Sequence, residues 1–269
     1  MNCYSVLMSV YAKDKAEWVS NAIDSMLSQT IPPSQFVLVI DGPIPEDVRT
    51  VIVEYAKNSI FSIVALKKNM GLGAALHEGI LCCKNELVAR MDADDISAEN
   101  RCERQLQCFE CYESLDVVGC WENEFWKNVD NTFACHKVPE RHNEIFRFMK
   151  MRCGILHPTV MFKKSAVLRA GNYRTRLLLE DYDLFVRMLR TGAKAYNIQE
   201  PLYYLRVNPD MFMRRGGFKY AKTLFLFKYQ LWKENFSNIQ QFIISAFGQI
   251  FVCLLPNRCR AIFYKLFLR

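Results

Sequence analysis

The sequence predicts an α/β fold with a mainly parallel, Rossmann-like sheet covered by helices on both faces. Two observations lead there. As far as Met91, apolar runs of five to eight residues alternate with stretches of helical apolar spacing, the pattern of successive strand-helix-strand units. The apolar runs are also near-continuous rather than alternating, as strands buried on both faces are.

Taken in order, CYSVLMSV at 3–10 is the first strand. Asp14 with Glu17 has the form of a capping box, and Trp18, Ala22, Met26 and Gln29, flanked by Val19, Ile23 and Leu27, carry a helix to about 29. Pro32 and Pro33 stop it. FVLVI at 36–40 is a second strand closing on Asp41-Gly42-Pro43, and Pro45 with Glu46 and Asp47 opens a helix to about 58. A third strand is expected at 60–66, a third helix at 72–84 and a fourth strand at 87–91. Ser97 offers the N-cap of a helix reaching about 113. Beyond it the alternation weakens. A strand at 116–120, irregular strands over 121–138 and a helix at 140–151 are followed by a strand at 157–162 and a short helix from Ser165. A helix at 181–191 and two strands near 195–198 and 202–207 complete the body.

The chain has 269 residues, 51% of them apolar, enough for one large domain with an appendage. We divide it into a body at 1–213 and a tail at 214–269. The net charge of +7 is uneven, because the tail holds ten Lys or Arg against Glu234 alone, leaving the body mildly acidic. Eleven cysteines, an odd number scattered through apolar segments with no signal sequence ahead of them, read as reduced cytoplasmic thiols. Cys108 and Cys111 form a Cys-x-x-Cys with no second ligand pair nearby, so packing is preferred over zinc.

The chemistry is concentrated in LVARMDADDIS at 87–97. Asp92, Asp94 and Asp95 crowd the end of a strand, and each raises the cost of ionising its neighbours unless a cation is at hand. The carboxyl ends of the strands are where open α/β sheets bind ligands. A solvated acidic turn is the plain alternative. The turn after the first strand, Ser9 to Asp14, contains no glycine, which argues against NAD and FAD, and no Walker A sequence is present. The first two strand ends instead offer a ring with a hydroxyl (Tyr11), a small hydroxyl (Ser9) and a carboxylate (Asp41). That set suits a uracil-like base, although each residue alone could be an ordinary rim or turn residue.

With these residues in view, the chain resembles the family 2 glycosyltransferases of GT-A fold, in particular the bacterial capsule and exopolysaccharide enzymes of the amylovoran type. The resemblance rests on SVLMSVY (5–11), AIDSMLSQT (22–30), Asp41-Gly42, NMGLGAALHEGI (69–80), ARMDADDIS (89–97), HPTVMFKKS (157–165) and LEDYDLFVRML (179–189). It covers about 3–207. It implies that Ser9, Tyr11, Asp41 and Asn69 line the nucleoside pocket, that Asp92 approaches the ribose or metal, and that Asp94 is the main protein ligand of Mg2+ or Mn2+. It further implies that Asp181 is the general base, with Glu180 as orienter or fallback, and that the sugar is inverted. The family often has Pro where Ser9 stands and a second Asp where Ile40 stands. His157 is either an acceptor-side group or a packed histidine, and His77 is assigned no role.

The implied function is metal-dependent transfer of a sugar from a nucleotide-diphospho-sugar, with UDP favoured, to a glycan or lipid-linked acceptor in surface polysaccharide synthesis. The alternatives are an inactive membrane-bound assembly factor of the same fold and, less well supported, a nucleotidyltransferase. In the tail, Phe218, Ala221, Phe225, Tyr229, Trp232 and Phe236 fall at helical spacing with Lys219, Lys222 and Lys233 on another side. The apolar stretch 242–255 is too short to span a bilayer. Basic, aromatic and amphipathic together, the tail reads as a helix lying on the anionic inner face of the membrane. Packing on the body or on a second subunit is the alternative, and nucleic acid is disfavoured.

Overall fold

The computed structural model describes residues 3–175, 178–207 and 216–255. Four strands, β1 (Tyr4–Val10), β2 (Gln35–Asp41), β3 (Phe61–Leu66) and β4 (Leu87–Asp92), pair in parallel in the order β3-β2-β1-β4. They are linked by α1 (Ala16–Leu27), α2 (Glu46–Tyr55) and α3 (Leu72–Cys82). The second half of the sheet is mixed. β4 pairs antiparallel with β8 (Met161–Lys163), which leads through β6 (Val117–Phe125) and β9 (Ala195–Arg206) to β5 (Ile96–Ser97), while β7 (Thr132–His136) forms a hairpin on β6. The fold is thus α/β with a single mixed nine-stranded sheet, parallel through its first four strands.

The period-two alternation of a strand sorts side chains between two cores. Val6, Met8 and Val10 of β1, Phe36, Leu38 and Ile40 of β2, and Leu87, Ala89 and Met91 of β4 pack with α1, α2 and α4 (Arg101–Cys111). Leu7, Val37, Val39 and Val88 pack on the opposite face with α3 and with α5 (His142–Met149), α6 (Lys164–Arg169) and α7 (Glu180–Arg190). By the same alternation, Ser9, Asp41, Arg90 and Asp92 belong to the α3 and α7 face.

Several local readings give way to tertiary pairing. Asp14 does not cap α1, whose N-cap is Lys15; its Oδ2 instead accepts the Tyr11 backbone N–H at 2.8 Å. Ser97 is not an N-cap either. It lies in β5, paired with Tyr203, and α4 starts later with Asn100 as its N-cap. The irregular strands expected over 121–138 are the long β6 and its β7 partner, and the two strands expected near 195 and 202 form the single strand β9. Its pairing with β6 shifts register around Trp121, opposite Pro201, where a missing backbone donor is tolerated. His157 opens a 3-10 turn, His157–Thr159, instead of a strand.

Among the described residues the tail contributes two helices, α8 (Phe218–Lys233) and α9 (Ile239–Leu254). Ala221, Leu224, Phe227 and Leu231 of α8 join the core that contains α7. The buried Lys228 ammonium donates to the Met151 carbonyl at 2.7 Å and to Tyr182 Oη at 2.9 Å. Its pKa is pushed down to about 7 by burial. Phe225, Tyr229 and Trp232, half of the stripe read from the sequence, are taken up by α9, with Trp232 stacked on Phe242 at 5.5 Å.

Helix α3 approaches the sheet closely at Gly79, where an added Cβ would meet the Leu7 and Val39 side chains of the core. Gly79→Ala is expected to cost about 1–3 kcal/mol despite its better helix propensity, read as a fall in the urea midpoint at unchanged slope.

Candidate active site

Strand register assembles the site. Ser9 is the pairing partner of Asp92 across β1 and β4, and Val10 pairs with Ile40, the residue before Asp41. The carboxyl ends of β1, β2 and β4 therefore bring Ser9, Tyr11, Asp41 and Asp92 to one edge, and Ser9 and Tyr11 are half-buried there. Asp41 is buried and already occupied. Its two oxygens accept the backbone N–H groups of Met70 at 2.6 Å and Gly71 at 2.9 Å, and its carbonyl accepts Asn69 Nδ2 at 3.3 Å. The carboxylate thus anchors the loop that opens α3. Gly42, at φ +84°, is held to glycine because a Cβ would strike the Asn69 backbone.

The acidic turn is built from beneath and from the side. Arg90 is fully buried and its guanidinium pairs with Asp92. Burial disfavours its charge, but the Asp92 carboxylate more than compensates. Asp95 is also buried: Oδ2 accepts Tyr203 O–H at 3.0 Å and Oδ1 accepts the Arg206 backbone N–H at 2.7 Å. Burial first, then the nearby Asp94 and Asp92 charges, raises its pKa well above the ordinary carboxyl range. Arg206 also donates through Nε to the Asp94 carbonyl at 2.7 Å, with its guanidinium between the rings of Trp18 at 5.0 Å and Phe125 at 4.5 Å. Asp95 therefore faces inward as a fastener, while Asp92 and Asp94 are half-buried at the edge.

Across this edge stands the first turn of α7. Gly73 of α3 packs against it, since a Cβ there would lie 3.3 Å from Glu180 Cβ. Glu180 is buried, with Oε2 lacking a hydrogen-bond partner, and burial pushes its pKa up to about 7. Asp181 is half-exposed, and its Oδ1 accepts the Tyr182 backbone N–H at 2.7 Å. Burial first raises the pKa of the buried Tyr173 hydroxyl, Arg90 opposes the rise, and the Asp181, Asp92 and Glu180 charges add to it. His157 bonds that hydroxyl through Nε2 at 2.8 Å. It is buried and kept neutral, its pKa driven well down by burial and by Arg90. His77, assigned no role from the sequence, holds the Tyr173 carbonyl through Nδ1 at 3.0 Å.

Arg90, Tyr203 and Arg206 were not legible as site residues. A signal existed for Arg90 alone: a charge within a buried apolar strand needs a partner on its own face, and Asp92 stands two residues on.

Among the described residues no three His, Cys, Asp or Glu side chains cluster as a metal cage. A hard divalent cation does not require one, because Mg2+ is commonly held by one or two carboxylates with substrate phosphates and water completing the shell. The half-buried pair Asp92 and Asp94 fits that donor set.

Comparison with known proteins places the chain among relatives of one family. The family described as "Glycosyl transferase family 2" matches residues 5–173. The chain is 36% identical over 266 residues to the UDP-Gal:alpha-D-GlcNAc-diphosphoundecaprenol beta-1,3-galactosyltransferase of Escherichia coli, covering 99% of this chain and 96% of that one. It is 34% identical to the amylovoran biosynthesis glycosyltransferase AmsE of Erwinia amylovora, over 82% of each. Among solved structures, S. aureus TarS 1-349 in complex with UDP-GlcNAc superposes with TM-score 0.67 at 14% identity, over 99% of this chain and 76% of that one. The mannosyltransferase PcManGT from Pyrobaculum calidifontis, in complex with GDP-Man and Mn2+, superposes with TM-score 0.63 at 14% identity, over 86% and 64%. These two likenesses establish the GT-A fold.

The raised Glu180 pKa has a stability consequence. Between the ordinary carboxyl value of 4.5 and about 7 the folded chain holds a proton that the unfolded chain has lost. Stability therefore falls as pH rises through that window. Glu180→Gln should flatten the fall, so that the gap between variant and wild-type denaturation midpoints moves in the variant's favour from pH 4.5 to pH 8.

Proposed function

The chain belongs to glycosyl transferase family 2, and from that premise we propose that it moves a sugar from a nucleotide-diphospho-sugar, UDP-linked, to a hydroxyl of a lipid-linked glycan, inverting the anomeric centre, in bacterial surface polysaccharide assembly. The observation that carries this reading is the strand register that brings Ser9, Tyr11, Asp41 and Asp92 to one edge, with the turn bearing Glu180 and Asp181 packed on Gly73 of α3, whose opening loop Asp41 anchors. The UDP donor and diphosphoundecaprenol-linked acceptor named for the E. coli relative, and the polysaccharide named for the Erwinia one, support the choice of substrates.

Ser9 and Tyr11 hold the base and ribose, with Asp41 and Asn69 shaping the loop beside them. Asp92 and Asp94 would hold Mg2+ or Mn2+, which when bound would offset charge on the departing diphosphate. Asp181 takes the proton of the acceptor hydroxyl. Its partial exposure lets an acceptor reach it, whereas Glu180 is buried away from an incoming acceptor and serves to orient the turn. Arg90 keeps Asp92 aimed at the edge. The acceptor's lipid anchor makes a peripheral position on the inner face of the membrane the natural one. Among the described residues no helix is long and apolar enough to cross it.

Asp181→Asn should retain donor binding and lose transfer by roughly 10²–10⁴-fold, measured by calorimetric titration of the donor beside product formation; near-normal turnover would remove the base assignment. Asp94→Ala should abolish the Mn2+ dependence of donor binding. It is a cleaner probe than Asp92, whose removal would strand a buried guanidinium at about 3–5 kcal/mol. A donor panel should yield nucleoside diphosphate and no pyrophosphate; release of pyrophosphate would mark a nucleotidyltransferase, and release of neither an inactive scaffold.

A further inference from the structure

Helix α9 is apolar on both of its faces, yet among the described residues only one is covered. Its sixteen residues, IQQFIISAFGQIFVCL, contain no charged side chain. Phe242, Ala246, Val252 and Cys253 are buried, and α8 covers part of this face, with Trp232 stacked on Phe242. On the opposite side Ile243, Ile244, Phe247, Phe251 and Leu254 fall within one helical stripe and stand 48–63% exposed. An all-round apolar helix is normally buried on every side, and a contiguous exposed stripe of this kind marks a contact surface.

We infer that this stripe of α9 is the element that enters an anionic bilayer, lying in its surface with the hydrocarbon beneath Ile244, Phe247 and Phe251. Charge complementarity selects lipid over a second protein. The body is mildly acidic while the tail carries the whole of the basic excess, including the exposed Lys219, Lys222 and Lys233 of α8 and, in the sequence after α9, Arg258, Arg260, Lys265 and Arg269. Apolar insertion flanked by such cations is the composition of an interfacial anchor. The surface differs from the one the sequence suggested, because Phe225, Tyr229 and Trp232 of the α8 stripe pack on α9 and Ala221 and Phe236 join the core. The hairpin is also fastened to the catalytic edge: Lys228 holds the Tyr182 hydroxyl, one residue from Asp181, and Gln249 Nε2 donates to the Met151 carbonyl at 3.2 Å. A membrane-seated α9 would thus set the height of the proposed base above the lipid. This inference rests on the lipid-linked acceptor proposed above.

The test is flotation of the full chain with vesicles of phosphatidylcholine mixed with phosphatidylglycerol, comparing wild type with the triple variant I244N/F247N/F251N, alongside sedimentation without lipid. Ile244 and Phe251 are exposed, whereas Phe247 also meets the Phe225 ring of α8 edge-on at 6.3 Å, so the thermal midpoint serves as the control for folding. Wild type should float and the variant lose vesicle binding by roughly tenfold or more. A variant that floats as well as wild type overturns the inference. So does a wild type that stays in the aqueous fraction and sediments as a dimer that the substitutions dissociate, which would make a second copy the occupant. Flotation of wild type but not variant, with neither releasing nucleoside diphosphate from any donor, would leave the surface standing and strike the transferase reading instead.

Discussion

Three carboxylates within four residues repel one another, and the end of β4 keeps its shape because buried partners answer two of them. Arg90 neutralises Asp92 from within the sheet, while Tyr203 and the Arg206 backbone take both oxygens of Asp95. This fastening pulls the following residues into β5, against β9, and delays the start of α4 to Arg101. Arg101 reinforces the same strand end from the other core, donating to the Arg90 carbonyl at 3.2 Å and to the Pro158 carbonyl at 3.1 Å. Breaking a buried ion pair by removing one partner costs several kcal/mol, so the geometry of the acidic turn and the stability of the sheet are one problem.

The first turn of α7 shows how environment separates two adjacent carboxyls. Glu180 packs near Gly73 without a full set of hydrogen bonds and holds its proton up to about neutrality. Its neighbour Asp181 reaches the solvent side and accepts a backbone N–H of the same turn, where the helix terminus favours a negative charge. A pair of chemically similar acids pushed apart in this way can take different roles in one cleft. Tyr173, linked to His157 and His77, ties the 3-10 turn to α3.

The tail is bound into this arrangement through α8. Lys228 is buried among apolar side chains, yet its ammonium satisfies the Met151 carbonyl and the Tyr182 hydroxyl. Burial of a lysine is costly unless its donors are used, and here their use fixes α8 against the helix that carries Asp181. The second helix then packs Phe242 on α8 and, among the described residues, leaves Ile244 and Phe251 exposed.

By itself the sequence determined the α/β class, the four parallel strands and their helices, because continuous apolar runs and helical spacing are local signals read within a few residues. It also marked the acids at 92–95 and 180–181, since carboxylates at a strand end and a helix start stand out against their neighbours. Tertiary structure alone decided which of the acids face the cleft: Asp95 is as acidic in sequence as Asp94, and only the approach of β9 from more than a hundred residues away turns it inward. The same holds for Ser97, whose capping propensity yields to strand pairing. It holds for the tail too, where amphipathic spacing reveals that a face exists and only packing reveals which face is already used. Long-range contacts are invisible to local periodicity, and they are what assign a side chain to the core, the site or the surface.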